Sequence, residues 1–189
     1  MLSLSSSDYT HVLELTEKIG QRFGHLGLNI SLPSLRIESV STQLMDNLGD
    51  GRRGGFTLAP EAATEKMRNI INKYVTHAEL LETAREIYRR DWRTIKLYFM
   101  IGHPMEEMED VQAIIDLCKQ VLAEGRKIHG NKASLNVGVS TFIPKPHTPF
   151  QWEAMDDLEK VYAKLELLRN EVRGQGLRLR WNDPRESVF

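Results

Sequence analysis

The residues of this chain that could do chemistry fall in six short polar stretches. They are residues 5–8 (SSSD), 36–39 (RIES), 59–63 (APEAA), 102–107 (GHPMEE), 144–149 (PKPHTP) and 182–187 (NDPRES). Each mixes turn formers with hydroxyls, carboxylates, imidazoles or cations that a packed core does not need. Glu61 is the sharpest single residue. It follows Pro60 at the end of an apolar segment and is expected to open a helix, so its carboxylate would be held at a strand tip. There it could accept hydrogen bonds from a hydroxylated ligand such as a ribose. The plainer alternative is an acid stabilising a helix N-terminus, worth about 0.3–1 kcal/mol.

Other chemistries find little support. No pair of histidines has metal-ligand spacing, and no G-x-S-x-G nucleophile motif occurs. His103 and His147 lie in the polar stretches, whereas His11, His25, His77 and His129 read as solvated. Cys118, the one cysteine, falls on an apolar helix face and reads as an inert core residue. The glycine-rich GDGRRGG (49–55) lacks the lysine and hydroxyl of a phosphate loop and reads as a turn. The carboxylates of GHPMEEMEDV suit a solvated first helical turn, with Glu106 the one that could do more.

The elements that must position these stretches alternate. Strand patterns are LSLS (2–5), NISLPSLRI (29–37), GFTLAP (55–60), TIKLYFMIG (94–102), LNVGVSTFI (135–143) and LRLRW (177–181). TIKLYFMIG is unbroken enough to be buried on both faces. Between the strands the apolar residues take helical spacing, as at Val12, Leu15, Ile19 and Phe23, and at Val111, Ile114, Ile115, Cys118, Val121 and Leu122. A short helix is expected over 39–48. Thr76 and Glu79 form a capping box, Asp156 and Glu159 a second one, and Gly125 is expected to end its helix. Alternating strands and helices predict a mainly parallel sheet, either doubly wound or part of a β/α barrel. In either, ligands gather at the carboxyl ends of the strands, where the six polar stretches fall.

Composition narrows the class. The 189 residues carry 25 basic and 26 acidic side chains, a net charge of −1 that calls for no nucleic-acid or membrane partner. No apolar run approaches the roughly 20 residues of a membrane span, and the first residues do not read as a signal peptide. A single cysteine suits a cytoplasmic protein.

GFTLAPEAATEKMRNIINK, TIKLYFMIGHPMEEMEDV and STFIPKPHTPFQW resemble, in this order, strand segments of radical S-adenosylmethionine enzymes. The resemblance is best to a subgroup with an N-terminal cobalamin-binding-like domain, and it runs from LSLSSSDY to WNDPRES. It implies a partial (β/α)6 TIM-like barrel. In that family a three-cysteine CxxxCxxC loop after the first strand holds a [4Fe–4S] cluster. The cluster cleaves S-adenosylmethionine to a 5′-deoxyadenosyl radical. This chain has no such loop. The resemblance therefore implies a single-domain fragment from the second strand onward, with the first βα unit missing and no metal ligands of its own.

Laid on the family's motifs, Ser5, Ser6, Ser7 and Asp8 would hold the amino group of S-adenosylmethionine, in place of the usual Gly-Gly-Glu. Arg36 joins the candidate cofactor contacts. Glu61 takes the ribose position, which reverses the plainer reading above. Gly102, His103 and Pro104 form the turn near the adenine, with His103 and Met105 where leucine and threonine are expected. Ile143, Pro144 and Lys145 would present backbone groups to the adenine edge, and Phe150 and Trp152 would close the barrel's side. Lys145 and His147 would face substrate.

The function implied is that of a barrel portion in an iron–sulfur oxidoreductase-like enzyme. The substrate is unknown, cobalamin is a further expected cofactor of the parent, and the fragment alone is expected to be silent. A non-catalytic barrel module binding a nucleotide or a protein is the alternative. An unpaired strand edge would favour a homodimer of the fragment.

Overall fold

The structure is a computed structural model, and it describes residues 9–26, 45–46 and 55–187. Four strands, β1 (Phe56–Glu61), β2 (Thr94–Ile101), β3 (Ser134–Thr141) and β4 (Leu177–Trp181), form one parallel sheet in the order β1-β2-β3-β4. The helices are α1 (Val12–Phe23), α2 (Glu65–Ile70), α3 (His77–Arg89), α4 (Met108–His129) and α5 (Leu158–Glu171). This is an α/β fold with a parallel sheet, as the alternating pattern predicts. LSLS and NISLPSLRI fall outside the described residues, as do most of the 39–48 helix and of GDGRRGG.

One face of the sheet makes the core. Leu58, Ile95, Leu97, Phe99, Leu135, Val137 and Val139 are buried together with apolar side chains of α3, α4 and α5. Among the described residues no helix packs on the other face, whose residues are half-buried to exposed. In TIKLYFMIG only alternate residues are buried, and Tyr98 is 49% exposed. The expectation of burial on both faces is therefore corrected: an apolar run reports strand content, and here helices cover one side of it.

Local signals held at some ends and failed at others. Thr76 accepts from Glu79 N–H while the Glu79 side chain accepts from Thr76 N–H, as the capping box requires. Gly125 does not end its helix, which continues to His129 and stops at Gly130, φ 58°. Gly125 instead makes room for a buried ring, since a Cβ there would lie 2.5 Å from Tyr88 Cζ. Asp156 caps no helix. Asp157 stands at that position without a side-chain cap bond, and Asp156 faces Lys164. His129 is not solvated: its ring is 11% exposed and bonds the Tyr88 carbonyl at 2.8 Å. Among the described residues no helix is long and apolar enough to cross a membrane.

Candidate functional site

Because the strands are parallel, the segments after β1, β2 and β3 emerge at the same end of the sheet. β1 reaches that end through an irregularity. Leu58 pairs with Leu97 but Glu61 pairs with Phe99, so β1 spends one residue more than β2 across Ala59 and Pro60. Proline has no N–H to give a ladder, and a bulge is where a strand tolerates it. Glu61 follows with φ 62°, in the left-handed region. It is thus the last residue of β1 and does not open a helix; α2 begins four residues later, capped by Thr64, whose Oγ1 accepts from Met67 N–H.

The Glu61 side chain is one-third exposed, and its Oε1 lies 2.8 Å from Lys73 Nζ. Lys73 also donates to the Ala59 carbonyl at 2.7 Å, which ties the carboxylate to its own strand. Behind this turn Arg68 is fully buried and donates to the carbonyls of Ala62, Ala63 and Val75. It fixes the path of the chain after β1. Thr64 and Lys66 bind Asp110 at 2.7 and 3.0 Å, joining that path to the start of α4.

The turn after β2 is held from below. Gly102 adopts φ 86°, a region that favours glycine. Its N–H donates to Glu106 Oε2 at 2.6 Å. Glu106 is not part of a solvated first turn: its side chain is 3% exposed and pairs with Lys164 at 2.7 Å. Lys164 also reaches Asp156 at 2.6 Å. Burial pushes the Glu106 carboxyl up, against the pull of Lys164 and the Gly102 N–H. Burial opposes the Lys164 charge, yet Asp156 and Glu106 together hold its pKa above the usual lysine range. Two carboxyls share one ammonium, and Glu106 is the more buried of the two.

His103 sits on this turn, 2% exposed. Its ring stacks on Phe142, centroids 4.8 Å apart and tilted by 41°. Phe142 N–H donates to the Ile101 carbonyl at 2.8 Å, so the β2–β3 ladder runs on to place both rings. Phe150 then meets Phe142 edge-on at 5.5 Å. Neither ring nitrogen of His103 has a hydrogen-bond partner among the described residues. Burial pushes its pKa down to about 4, with the Lys164 charge adding to the fall and Glu61 opposing it. At neutral pH it is an uncharged imidazole with one donor and one acceptor unfilled.

Seven of the expected contact residues therefore lie at one end of the sheet: Glu61, Gly102, His103, Pro104, Ile143, Pro144 and Lys145. Ser5, Ser6, Ser7, Asp8 and Arg36 fall outside the described residues. Lys145 and His147 are exposed, and the Thr148 hydroxyl donates to the Lys145 carbonyl at 2.7 Å. Trp152 closes nothing among the described residues, being 89% exposed; Phe150 alone packs inward. Sequence reasoning missed Lys73, Arg68 and Lys164. Lys164 had a signal: it interrupts the apolar stripe Val161, Leu165, Leu168 of α5, where a cation demands buried partners. Cys118 is buried on α4, and burial pushes its thiol up. Among the described residues no group of three or more histidine, cysteine, aspartate or glutamate side chains could hold a metal ion.

No family model matches the chain. The uncharacterised protein MJ0966 of Methanocaldococcus jannaschii is 30% identical over 183 residues, which is 97% of this chain and 38% of that protein. The chain thus spans less than two-fifths of this curated relative. Among solved structures, Streptococcus suis SuiB matches with a TM-score of 0.61 at 10% identity, over 94% of this chain and 37% of SuiB. SuiB bound to S-adenosylmethionine matches with a TM-score of 0.60 at 9% identity, over 94% of this chain and 37% of that one. At such identity the likeness shows the fold: this parallel sheet with its helices is an arrangement found in SuiB.

Proposed function

We propose that this chain forms part of the barrel of a radical S-adenosylmethionine enzyme and holds the nucleoside part of S-adenosylmethionine at the carboxyl ends of β1, β2 and β3. The observation that carries the reading is His103. A buried neutral imidazole with both nitrogens unfilled is expensive for the fold, and at strand ends such a cost marks a functional site. Glu61 stands nearby with Oε1 on Lys73 and Oε2 left to accept from a ribose hydroxyl. Main-chain groups of Ile143, Pro144 and Lys145 serve the adenine edge. The fold is shared with SuiB, one structure of which holds S-adenosylmethionine. In such an enzyme bound S-adenosylmethionine is the source of the radical chemistry.

A cysteine-held [4Fe–4S] cluster does not fit these residues. Such clusters take several thiolates, and the chain has one cysteine, buried in a helix. In this reading the cluster, and cobalamin with it, belong to protein outside these 189 residues, and this chain binds and orients.

Calorimetric titration of S-adenosylmethionine into the protein tests the proposal. A charge-assisted hydrogen bond is worth about 1.5–3 kcal/mol. Glu61→Ala is therefore expected to weaken binding by roughly 10- to 100-fold, each 1.4 kcal/mol being tenfold. Unchanged affinity in Glu61→Ala would remove the ribose role, and unchanged affinity in both Glu61→Ala and His103→Leu would overturn the site.

A further inference from the structure

The face of the sheet away from the helices carries charge that no carboxylate among the described residues neutralises. Strand register puts Lys96 of β2, Asn136 of β3 and Arg178 of β4 on one line across this face. Tyr98, Gly138 and Arg180 form the next line toward the carboxyl end. Neighbouring strands lie about 4.8 Å apart, so Lys96 and Arg178 are roughly 10 Å apart at their backbones; Arg178 and Arg180 are roughly 6.6 Å apart. The Lys96 stem runs over Gly55 on the β1 side, so Arg178 and Arg180, two residues apart on one strand, are the pair whose side chains can meet on one group.

None of the three cations has a carboxylate partner among the described residues. Other cations of the chain are placed differently. Lys66, Lys73, Arg85, Arg90, Lys119 and Lys164 are all ion-paired. With a net charge of −1 this is no general excess of base, and the cations are local to the face. Arg178 and Arg180 are exposed, and Lys96 is half-buried.

Tyr98 adds a second feature. Its ring lies against Gly138, where a Cβ would come within 2.7 Å of Cδ1 and Cε1. A glycine at this position lets an aromatic ring, half exposed, lie on the sheet as a shelf. By register, Arg180 is the residue beside that glycine on the next strand.

We infer that this face is a binding site for a small oxyanion-bearing molecule with a flat ring. The arginines take the phosphate or carboxylate, and Tyr98 takes the ring. Arginine presents a planar fork of donors that matches either oxyanion in pairs, and a ring on an aromatic face gains dispersion and stacking. The inference stands apart from the reading of the strand ends, because it uses none of their residues and its test needs no S-adenosylmethionine.

The test is calorimetry on the full chain with phenyl phosphate, benzoate and inorganic phosphate, at ionic strength matched with chloride. Phenyl phosphate or benzoate is expected to bind, and the one that binds better names the oxyanion. The Arg178→Gln, Arg180→Gln double variant is expected to lose roughly tenfold or more in affinity. Both positions are exposed, so an unchanged circular dichroism spectrum is expected with that loss. Tyr98→Ala is expected to bring phenyl phosphate down to the affinity of inorganic phosphate. Equal affinity in wild type and double variant, or no binding beyond that of chloride, would overturn the inference.

Discussion

Replacing His103 by leucine is expected to stabilise the protein at neutral pH and to flatten its response to acid. The two effects have separate origins. At neutral pH the imidazole is uncharged in both the folded and unfolded states, but folding strips water from two ring nitrogens and gives them no partner. Each such loss costs about 1–3 kcal/mol. Leucine fills a similar volume without polar atoms, so a gain of about 2–6 kcal/mol from the two nitrogens is expected. In acid the linkage adds to this. The ordinary value of 6.5 is lowered to about 4 in the folded state. Above pH 6.5 neither state binds the proton; between 6.5 and 4 the unfolded state takes it and the folded state does not. Stability is thus present above the unfolded value and is lost as pH falls. At about 1.4 kcal/mol per unit, the wild type is expected to lose roughly 3 kcal/mol more than His103→Leu over that interval. Urea unfolding followed by circular dichroism across this pH range measures both quantities, and other titrations cancel in the difference. Parallel pH curves for the two proteins would refute the buried neutral imidazole. A leucine variant less stable at neutral pH would show that the ring nitrogens are satisfied.

The buried triad beneath the β2 turn gives a second expectation. Lys164→Met leaves two carboxyls without their ammonium and is expected to cost about 3–5 kcal/mol in chemical denaturation. Glu106→Gln keeps an acceptor for the Gly102 N–H and is expected to cost less. Gly125→Ala drives a Cβ into the buried Tyr88 ring, 2.5 Å from Cζ, and is expected to destabilise by about 1–3 kcal/mol through overpacking. A thermal midpoint equal to wild type would show that the ring can move aside.

The sequence alone determined the beat of strands and helices. Periodicity is a local property, and apolar residues at helical or strand spacing must find a core. It also determined that polar residues collect after strands, and the Thr76–Glu79 cap, because a capping box lies within four residues. It singled out Glu61, Glu106 and His103 for attention. What it could not decide was company. Whether a strand is covered on one face or two depends on where helices pack, so the more exposed side of TIKLYFMIG was not legible. Gly125 reads as a helix end unless the ring of Tyr88, brought by another helix, is seen against it. His103 looks like any loop histidine until Phe142 and the turn over Glu106 bury it without partners. Lys164 and Asp156 lie 58 and 50 residues from Glu106 in sequence, and only the packing of α5 against the β2 turn makes them one network. Alternation fixes which side of its own strand a residue occupies, but only the register of β2, β3 and β4 gathers Lys96, Arg178 and Arg180 on one face.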